Sequence, residues 1–226
     1  MKTVLITGAS DGIGKACANL LDSLDYKLFL FGRNKDKLKN VTDNLENVIE
    51  TYSFDATNYD ELNKALDDIN KKGGVDVLIN NMGANLKKQE VKDIDIKIFE
   101  NMMSLNCTAQ LICIEKVLPK MIENKQGNII NILSSSCLYN NPTMAAYTAS
   151  KKAMEAISKT LAKEVKKYGI VVTGIYPGGV DTNFRTIDRP DYLRPESIAK
   201  LIPDIINNKD GLIQDIVIRP IVEDNY

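Results

Sequence analysis

Short apolar runs alternate along this chain with longer amphipathic segments, and this alternation constrains the fold more than any other feature. Six runs have the length and composition of buried strands: residues 3–7, 27–31, 76–80, 128–133, 170–176 and 215–220. Four segments between them have helical periodicity: residues 14–24, 59–73, 95–127 and 145–169, the last closing on Gly169 as a C-cap. Such alternation predicts βαβ units, and therefore an α/β doubly wound domain over residues 1–226. We expect a parallel sheet of about seven strands with helices on both faces.

Composition excludes several classes of protein. The chain has 226 residues, enough for one domain with a full core, and a formal net charge of −1. This charge gives no bulk attraction to nucleic acid or to an anionic membrane, so neither partner is expected. No apolar run approaches the about 18 residues of a membrane span, and the apolar start is too short for a signal peptide. We therefore expect a cytoplasmic protein.

The four cysteines, Cys17, Cys107, Cys113 and Cys137, form no C-x-x-C pair, and the chain contains no histidine. No metal site is predicted from this set. Free thiols that act as small core residues are the simplest interpretation. The alternative is a reactive cysteine, which fits only Cys137 because it lies close to the motifs described below.

A glycine-rich segment, "TGASDGIG", follows the first predicted strand and precedes an amphipathic helix. Strand, glycine turn and helix are the arrangement that binds a pyrophosphate. Gly8, Gly12 and Gly14 would let the backbone approach the phosphates, and the helix N-terminus would supply N–H groups and a positive dipole end. The alternative is a tight turn between strand and helix that binds nothing.

Four motifs occur in order: "TGASDGIG" at 7–14, "NNMG" at 80–83, "YTASK" at 147–151 and "YPGGVDT" at 176–182. Together they resemble the short-chain dehydrogenase/reductase family, from about residue 3 to residue 182. The resemblance implies a Rossmann-type fold. It also implies an oxidoreductase that transfers a hydride between a nicotinamide cofactor and a small-molecule carbonyl or alcohol substrate.

Tyr147 and Lys151 share one face of a predicted helix, because positions four apart lie one above the other. A free tyrosine has a pKa near ~10, and a neighbouring ammonium lowers that pKa by favouring the phenolate. The pair could therefore replace the missing histidine in acid–base chemistry. Taken alone, the pair could equally be an ordinary feature of a helix surface.

The resemblance assigns a role to each member of a catalytic group. It implies that Tyr147 is the general acid/base and that Lys151 both tunes Tyr147 and holds the nicotinamide ribose. Ser134 would hydrogen-bond the substrate carbonyl, although two further serines follow it and the assignment could slip by one. Asn106 would hold a water that links Lys151 to solvent, or it could simply be a packed, hydrogen-bonded residue.

The end of the second strand predicts the cofactor type. Gly32 stands where relatives that use NAD often carry an acidic residue, and Arg33, which suits a 2′-phosphate, follows it. NADP(H) is therefore expected ahead of NAD(H). Asp11 argues against this choice, because many relatives that use NADP place a basic residue there.

The remaining cofactor contacts are also implied by the resemblance. Met82 departs from the family, which usually has alanine at this position. The full set of expected cofactor contacts is Gly8, Ser10, Asp11, Gly12, Ile13, Gly14, Arg33, Asn34, Asp55, Ala56, Asn81, Gly83, Tyr147, Lys151, Pro177, Gly178, Val180 and Thr182.

The substrate is less well specified than the cofactor. In this family the loop at 183–193 covers the substrate, and it offers Arg185 and Arg189, with Arg194 following, for a substrate carboxylate; solvated loop charges are the alternative. The end of the chain is similar to family members that oxidise serine and other 3-hydroxy acids with NADP. Further pocket residues are expected at Tyr139, Met144 and Cys137.

Two alternatives to this enzyme stay open. One is a nucleotide-sensing protein that keeps the fold without turnover, and the other is a reductase of carrier-bound 3-oxoacyl chains. The resemblance also implies a homodimer or homotetramer built from helices near 96–125 and 145–168. Apolar positions there could face a partner or the sheet: Met102, Leu111, Ile114, Met154 and Ile157.

Overall fold

The computed structural model describes residues 1–182 and 189–223. Seven strands form one sheet: β1 (Thr3–Ile6), β2 (Lys27–Gly32), β3 (Val48–Ser53), β4 (Val77–Asn80), β5 (Gly127–Ile132), β6 (Ile170–Pro177) and β7 (Asp215–Ile218). Their order is β3-β2-β1-β4-β5-β6-β7, and every neighbouring pair is parallel. The predicted α/β architecture, with about seven parallel strands, is confirmed.

Helices connect the strands: α1 (Gly12–Asp22), α2 (Lys35–Thr42), α3 (Tyr59–Lys71), α4 (Ile96–Met103), α5 (Ala109–Glu123), α6 (Ala145–Val165), α7 (Pro195–Ala199) and α8 (Leu201–Asn207). Gly169 has φ +71° and ends the turn that follows α6, as its predicted C-cap role requires. None of the helices in the described ranges is long and apolar enough to cross a membrane.

The apolar alternation of the strands divides the core into two layers. Leu5 and Leu78 point to the face that α3, α5 and α6 cover. Their neighbours Ile6 and Ile79 point to the other face, against α1, α2, α7 and α8. Both faces of the central strands are buried, which explains why these strands are continuous apolar runs without polar alternation.

One strand is absent from the six apolar runs. β3 lies at the edge of the sheet, and most of its side chains are exposed, so its sequence "VIETYS" carries no buried run. The helix before it, α2, was also missed because only Leu38 and Val41 of its eight residues are buried. Edge elements bury one narrow face and leave a weak periodic signal.

The long helix predicted at 95–127 is interrupted. α4 passes into one π-helical turn, Ser104–Thr108, before α5 begins, and α5 ends at Glu123 rather than at residue 127. Lys125 has φ +50°, which breaks the helix, and Gly127 already belongs to β5. A π turn inside a helix often marks a functional position, and this one contains Asn106.

From β1 the chain adds β2 and β3 toward one edge of the sheet. It then returns to β4, on the other side of β1, and adds β5, β6 and β7 toward the opposite edge, so the strand order reverses between β1 and β4. A crevice opens beyond the carboxyl ends of the strands at such a point, and ligands of open α/β sheets bind there.

Candidate active site

A cavity of about 660 Å³ lies at this crevice. Its wall contains three of the predicted catalytic residues, Ser134, Tyr147 and Lys151. It also contains every predicted cofactor residue except Gly14: Gly8, Ser10, Asp11, Gly12, Ile13, Arg33, Asn34, Asp55, Ala56, Asn81, Gly83, Tyr147, Lys151, Pro177, Gly178, Val180 and Thr182. Gly14 and Asn106 lie behind the wall, and both support residues that form it.

The glycine loop has the backbone that its sequence predicts. Gly8 and Gly12 have φ values of +68° and +51°, which residues other than glycine rarely adopt. A Cβ on Gly14 would lie 2.6 Å from Asn81 Nδ2 and would also collide with the carbonyl of Gly8. The first turn of α1 is thereby brought close to β1, with its N–H groups at the cavity. This cradle fits a pyrophosphate group.

A side-chain clamp fixes the loop to β4. Asn81 donates from Nδ2 to the carbonyls of Thr7 (3.0 Å) and Gly8 (3.2 Å). In return, Thr7 Oγ1 accepts the N–H groups of Asn81 (2.9 Å) and Met82 (3.1 Å). The Met82 side chain, unusual for the family, is buried in the core between the sheet and α5.

The end of the cavity beside α2, where the resemblance leads us to expect the cofactor's adenosine (the adenosine end), carries charged, exposed side chains. Arg33 is exposed and lines the wall, as does Lys37, which lies four residues further along the chain. Lys37 Nζ lies 2.9 Å from Asp11 Oδ2, and Asp11 Oδ1 accepts the N–H of Gly12. The acidic residue that argued against a 2′-phosphate is thus paired with a lysine.

Gly32 is closely surrounded. A Cβ there would meet Ser10 Cβ at 3.0 Å and Leu38 Cδ1 at 3.2 Å, so a larger residue would require these side chains to shift by a few tenths of an ångström. This chain has no carboxylate at the position where relatives that use NAD often carry one.

Two predicted cofactor residues also shape the local backbone. Asn34 Oδ1 caps α2 by accepting the N–H of Lys37 at 2.9 Å. Asp55 accepts the N–H and the hydroxyl of Thr57. These hydrogen bonds lower the pKa of Asp55, with a smaller contribution from Arg33.

Lys151 is buried, with 3% of its surface exposed, and its Nζ donates to the carbonyl of Ile132 at 2.9 Å. Burial lowers the pKa of this lysine to about 8. A Cβ on Gly83 would lie 3.2 Å from the same Nζ, so this glycine makes space for the ammonium.

Tyr147 lies one turn before Lys151 on α6 and is 8% exposed. Its ring packs with Met102, and Met144 packs against the same small cluster. This packing fixes the ring while its edge remains in the cavity wall.

Ser134 is held in extended conformation after β5, and its Oγ accepts the N–H of Ser136 at 3.1 Å. The hydroxyl proton remains available to a substrate oxygen. Ser135 and Ser136 also line the cavity, but the Oγ of Ser136 is buried. The hydrogen bond that orients Ser134 favours it among the three serines.

The side chain of Asn106 makes three hydrogen bonds within the protein. Its Oδ1 accepts the N–H of Ala84 (2.8 Å), and its Nδ2 donates to the Ala84 carbonyl and to Ser150 Oγ (both 2.9 Å). The amide locks the π turn to the loop after β4 and to α6. Its predicted water-holding role is therefore limited to the second lone pair of Oδ1 or to the main chain.

Only some of the predicted substrate residues lie at the cavity. Met144 lines the cavity, whereas Tyr139 and Cys137 do not. Burial raises the pKa of the Cys137 thiol to about 11, which argues against a reactive cysteine. Arg189 and Arg194 are exposed and outside the wall, and Arg185 lies outside the described residues.

Sequence reasoning missed one charged residue in the wall entirely. Glu223, from the end of the chain, accepts the N–H of Gly179 at 2.7 Å and pairs with Arg219 at 3.0 Å. No local motif marks it, because its partner in the site is 44 residues away along the chain.

A family model and a curated relative both match most of this chain. The family model described as short chain dehydrogenase matches residues 2–192. An uncharacterized oxidoreductase of Staphylococcus aureus strain N315 is 33% identical over 226 residues, with 97% of each chain covered.

Two solved structures resemble the fold. The closed form of serine dehydrogenase complexed with NADP⁺ is 23% identical, with a TM-score of 0.91 and coverage of 98% of this chain and 96% of the other. ElxO with NADP bound is 26% identical, with a TM-score of 0.86 and coverage of 96% and 97%. With the family model spanning most of the chain, this protein belongs to the short-chain dehydrogenase/reductase family of oxidoreductases.

Proposed function

We propose that the protein is an NADP(H)-dependent oxidoreductase that interconverts a carbonyl compound and a secondary alcohol. A small 3-hydroxy acid and its keto form are the proposed substrate pair. When bound, the nicotinamide supplies or accepts the hydride. Tyr147 gives its phenolic proton to the substrate oxygen in reduction and removes it in oxidation, while Ser134 donates a hydrogen bond to that oxygen.

The buried ammonium of Lys151 is the observation that carries this proposal. Its pKa of about 8, against 10.5 in water, corresponds to a cost of about 3 kcal/mol at neutral pH. An apolar residue there would avoid that cost, so the charge is retained for a function. Ser134 and Tyr147 lie in the same wall, and this combination favours catalysis over nucleotide sensing alone. A positive charge held one turn from Tyr147 stabilises the negative charge that develops on the phenolic oxygen when its proton is given up.

NADP(H) is supported by the charges at the adenosine end. Arg33 and Lys37 offer two cations at the wall, and a guanidinium suits a phosphate. The NADP complex of ElxO, a structure of the same fold, is consistent with this choice.

The proposal is tested by following oxidation of NADPH and NADH in parallel, with keto acids, ketones, aldehydes and carrier-mimic thioesters as substrates. We expect turnover with NADPH on keto acids. Arg33→Ala should raise the KM for NADPH about 10- to 100-fold, since it removes a charged hydrogen bond. Lys35→Ala, an exposed cation outside the cavity wall, is the matched control.

A preference for NADH in the unmodified protein would contradict the cofactor assignment and leave the chemistry intact. Tight binding of NADPH without turnover on any substrate would favour the sensor. Turnover only on thioesters would favour the carrier reductase.

We also propose that the enzyme is a cytoplasmic homodimer or homotetramer. The four cysteines are all free thiols, as expected in a reducing compartment. Of the five apolar positions predicted to face a partner or the sheet, Met102, Ile114 and Met154 are buried within the fold. Leu111, 39% exposed, and the half-buried Ile157 line a shallow groove between α5 and α6. A monomer by light scattering at micromolar concentration would contradict this part.

A further inference from the structure

The end of the chain folds back onto the cavity and places a carboxylate in its wall. Glu223 lies five residues beyond β7, and its Oε1 accepts the N–H of Gly179 at 2.7 Å. Its Oε2 lies 3.0 Å from Arg219 Nε. The side chains of Arg219 and Glu223 are only 9% and 17% exposed, so this is a largely buried ion pair.

The backbone opposite Glu223 is shaped to accept a carboxylate. A Cβ on Gly178 would lie 2.5 Å from Glu223 Oε2, and one on Gly179 would lie 2.9 Å from Oε1. Two consecutive glycines therefore make the space in which the carboxylate lies. The groups that face this carboxylate are the N–H of Gly179 and the guanidinium of Arg219.

Glu223 is part of the cavity wall, and Arg219 lies behind it, next to the loop that carries Ser134. The guanidinium carbon of Arg219 lies 4.4 Å from the centre of the Tyr139 ring, which fixes its plane. Tyr139 in turn donates its N–H to the carbonyl of Ser135, next to the proposed catalytic Ser134. Arg219 is thus connected to the loop that carries Ser134 and to the glycines that line the nicotinamide end.

The segment directly before Glu223 buries little apolar surface, since Ile221 and Val222 are 96% and 49% exposed. Within residues 189–223, the described part of this end of the chain, the Glu223 carboxylate makes two side-chain hydrogen bonds, one with the N–H of Gly179 and one with Arg219. The carboxylate of a small acid offers the same acceptor oxygens to these two donors.

We propose that Arg219 and the N–H of Gly179 form a receptor for the substrate carboxylate, and that Glu223 occupies this receptor until a substrate displaces it. The inference rests on the proposed function and names the substrate class more closely: a small acid whose carbonyl reaches Ser134 and Tyr147. The exchange replaces one carboxylate by another, so the guanidinium is never left buried without an anion. Arg219 is then the residue that selects acids over neutral ketones.

The test compares two ligands that differ by one charge, acetoacetate and methyl acetoacetate. Each is titrated by calorimetry into the protein saturated with NADP⁺, where no hydride is available and no reaction occurs. We expect Glu223→Gln to tighten acetoacetate about tenfold, because the internal competitor loses its charge, and to leave the ester within about twofold.

Arg219→Gln should weaken acetoacetate at least about tenfold and leave the ester within about twofold. Arg219→Lys keeps the charge without the planar guanidinium and should give an intermediate affinity. Lys167→Gln, an exposed cation over the Tyr168 ring and outside the wall, is the matched control and should change neither ligand. In steady-state kinetics the same changes should alter the KM of the acid more than the KM of the ester.

Three results would overturn the inference: unchanged or weaker acetoacetate binding in Glu223→Gln, equal losses for both ligands in Arg219→Gln, or no acetoacetate binding in either the unmodified protein or Glu223→Gln. If NADPH is still oxidised with the ester in those cases, the proposed oxidoreductase stands and only the carboxylate receptor fails. If no NADPH-dependent turnover occurs with any substrate, the proposed function fails as well.

Discussion

The two ends of the cavity are built in opposite ways. At the end around Tyr147 and Lys151, where we propose that the nicotinamide binds (the nicotinamide end), Lys151 is buried and hydrogen-bonded to Ile132. Asn106 uses both amide hydrogens and its oxygen within the protein. At the adenosine end, Arg33 and Lys37 are exposed, and the ion pair between Lys37 and Asp11 is open to solvent.

We expect the buried nicotinamide end to control turnover and the exposed adenosine end to control the affinity for the cofactor. A buried charge keeps its full electrostatic effect, so small changes at the nicotinamide end should have large effects on turnover. Exposed ion pairs contribute about 0–1 kcal/mol, so changes of charge at the adenosine end should tune affinity without abolishing function. The predictions below test this contrast.

The largest effect is expected at Tyr147. Tyr147→Phe removes the only group proposed to exchange a proton with the substrate, so kcat should fall about 10²- to 10⁴-fold. The affinity for NADPH should stay within about twofold, because the ring remains packed beside Met102. Turnover is measured by oxidation of NADPH and affinity by titration, with Tyr168→Phe, distant from the cavity wall, as control. Retention of more than about a tenth of the turnover would remove Tyr147 from its proposed role.

A smaller effect, but one with a defined pH dependence, is expected for Lys151→Met. The pKa of Lys151 is about 8 in the folded protein and 10.5 in the unfolded chain. Between these values the unfolded chain binds more protons, so the contribution of Lys151 to the free energy of unfolding rises as the pH rises from 8 to 10.5. The penalty of the buried charge is complete below pH 8.

Urea unfolding of the cofactor-free protein at pH 7 and pH 10 measures this effect. Between these pH values, the free energy of unfolding of the unmodified protein should gain about 2–3 kcal/mol relative to Lys151→Met. Lys152→Met, at the exposed neighbouring position, should follow the unmodified protein at both pH values. A difference that does not vary with pH would show that the buried ammonium carries no such cost.

The smallest effect is expected at the adenosine end. Asp11→Asn keeps an N-cap for α1 but removes the negative charge beside Lys37. Binding of NADPH should tighten about threefold to tenfold at low salt, and binding of NADH should stay within about twofold. Asp43→Asn removes a similar exposed partner from Lys39 outside the cavity wall and should change neither. Equal tightening of both cofactors would mean that Lys37 does not distinguish the 2′-phosphate.

The sequence failed to predict four elements, for two reasons. β3 and α2 were missed because their exposed side chains obscure the apolar period. α7 and α8 bury residues such as Ile198 and Ile202, but they have only five and seven residues, too few to show a helical period. The long third helix was placed correctly but not its π turn, because a π turn depends on hydrogen bonds from Asn106 to Ala84 and Ser150, which are 22 and 44 residues away. Local pattern carries no information about such distant partners.

The sequence by itself determined the parallel sheet, the glycine turn and the helical pairing of Tyr147 with Lys151, because each depends on residues close together in the chain. Only the tertiary structure decided that Lys151 is buried with a lowered pKa, that Asp11 is paired with Lys37, and that Glu223, paired with Arg219, reaches the cavity wall. Those features arise at the cavity beyond the carboxyl ends of strands that are distant in the chain. Burial and electrostatic coupling there depend on residues from several segments, so no single segment predicts them.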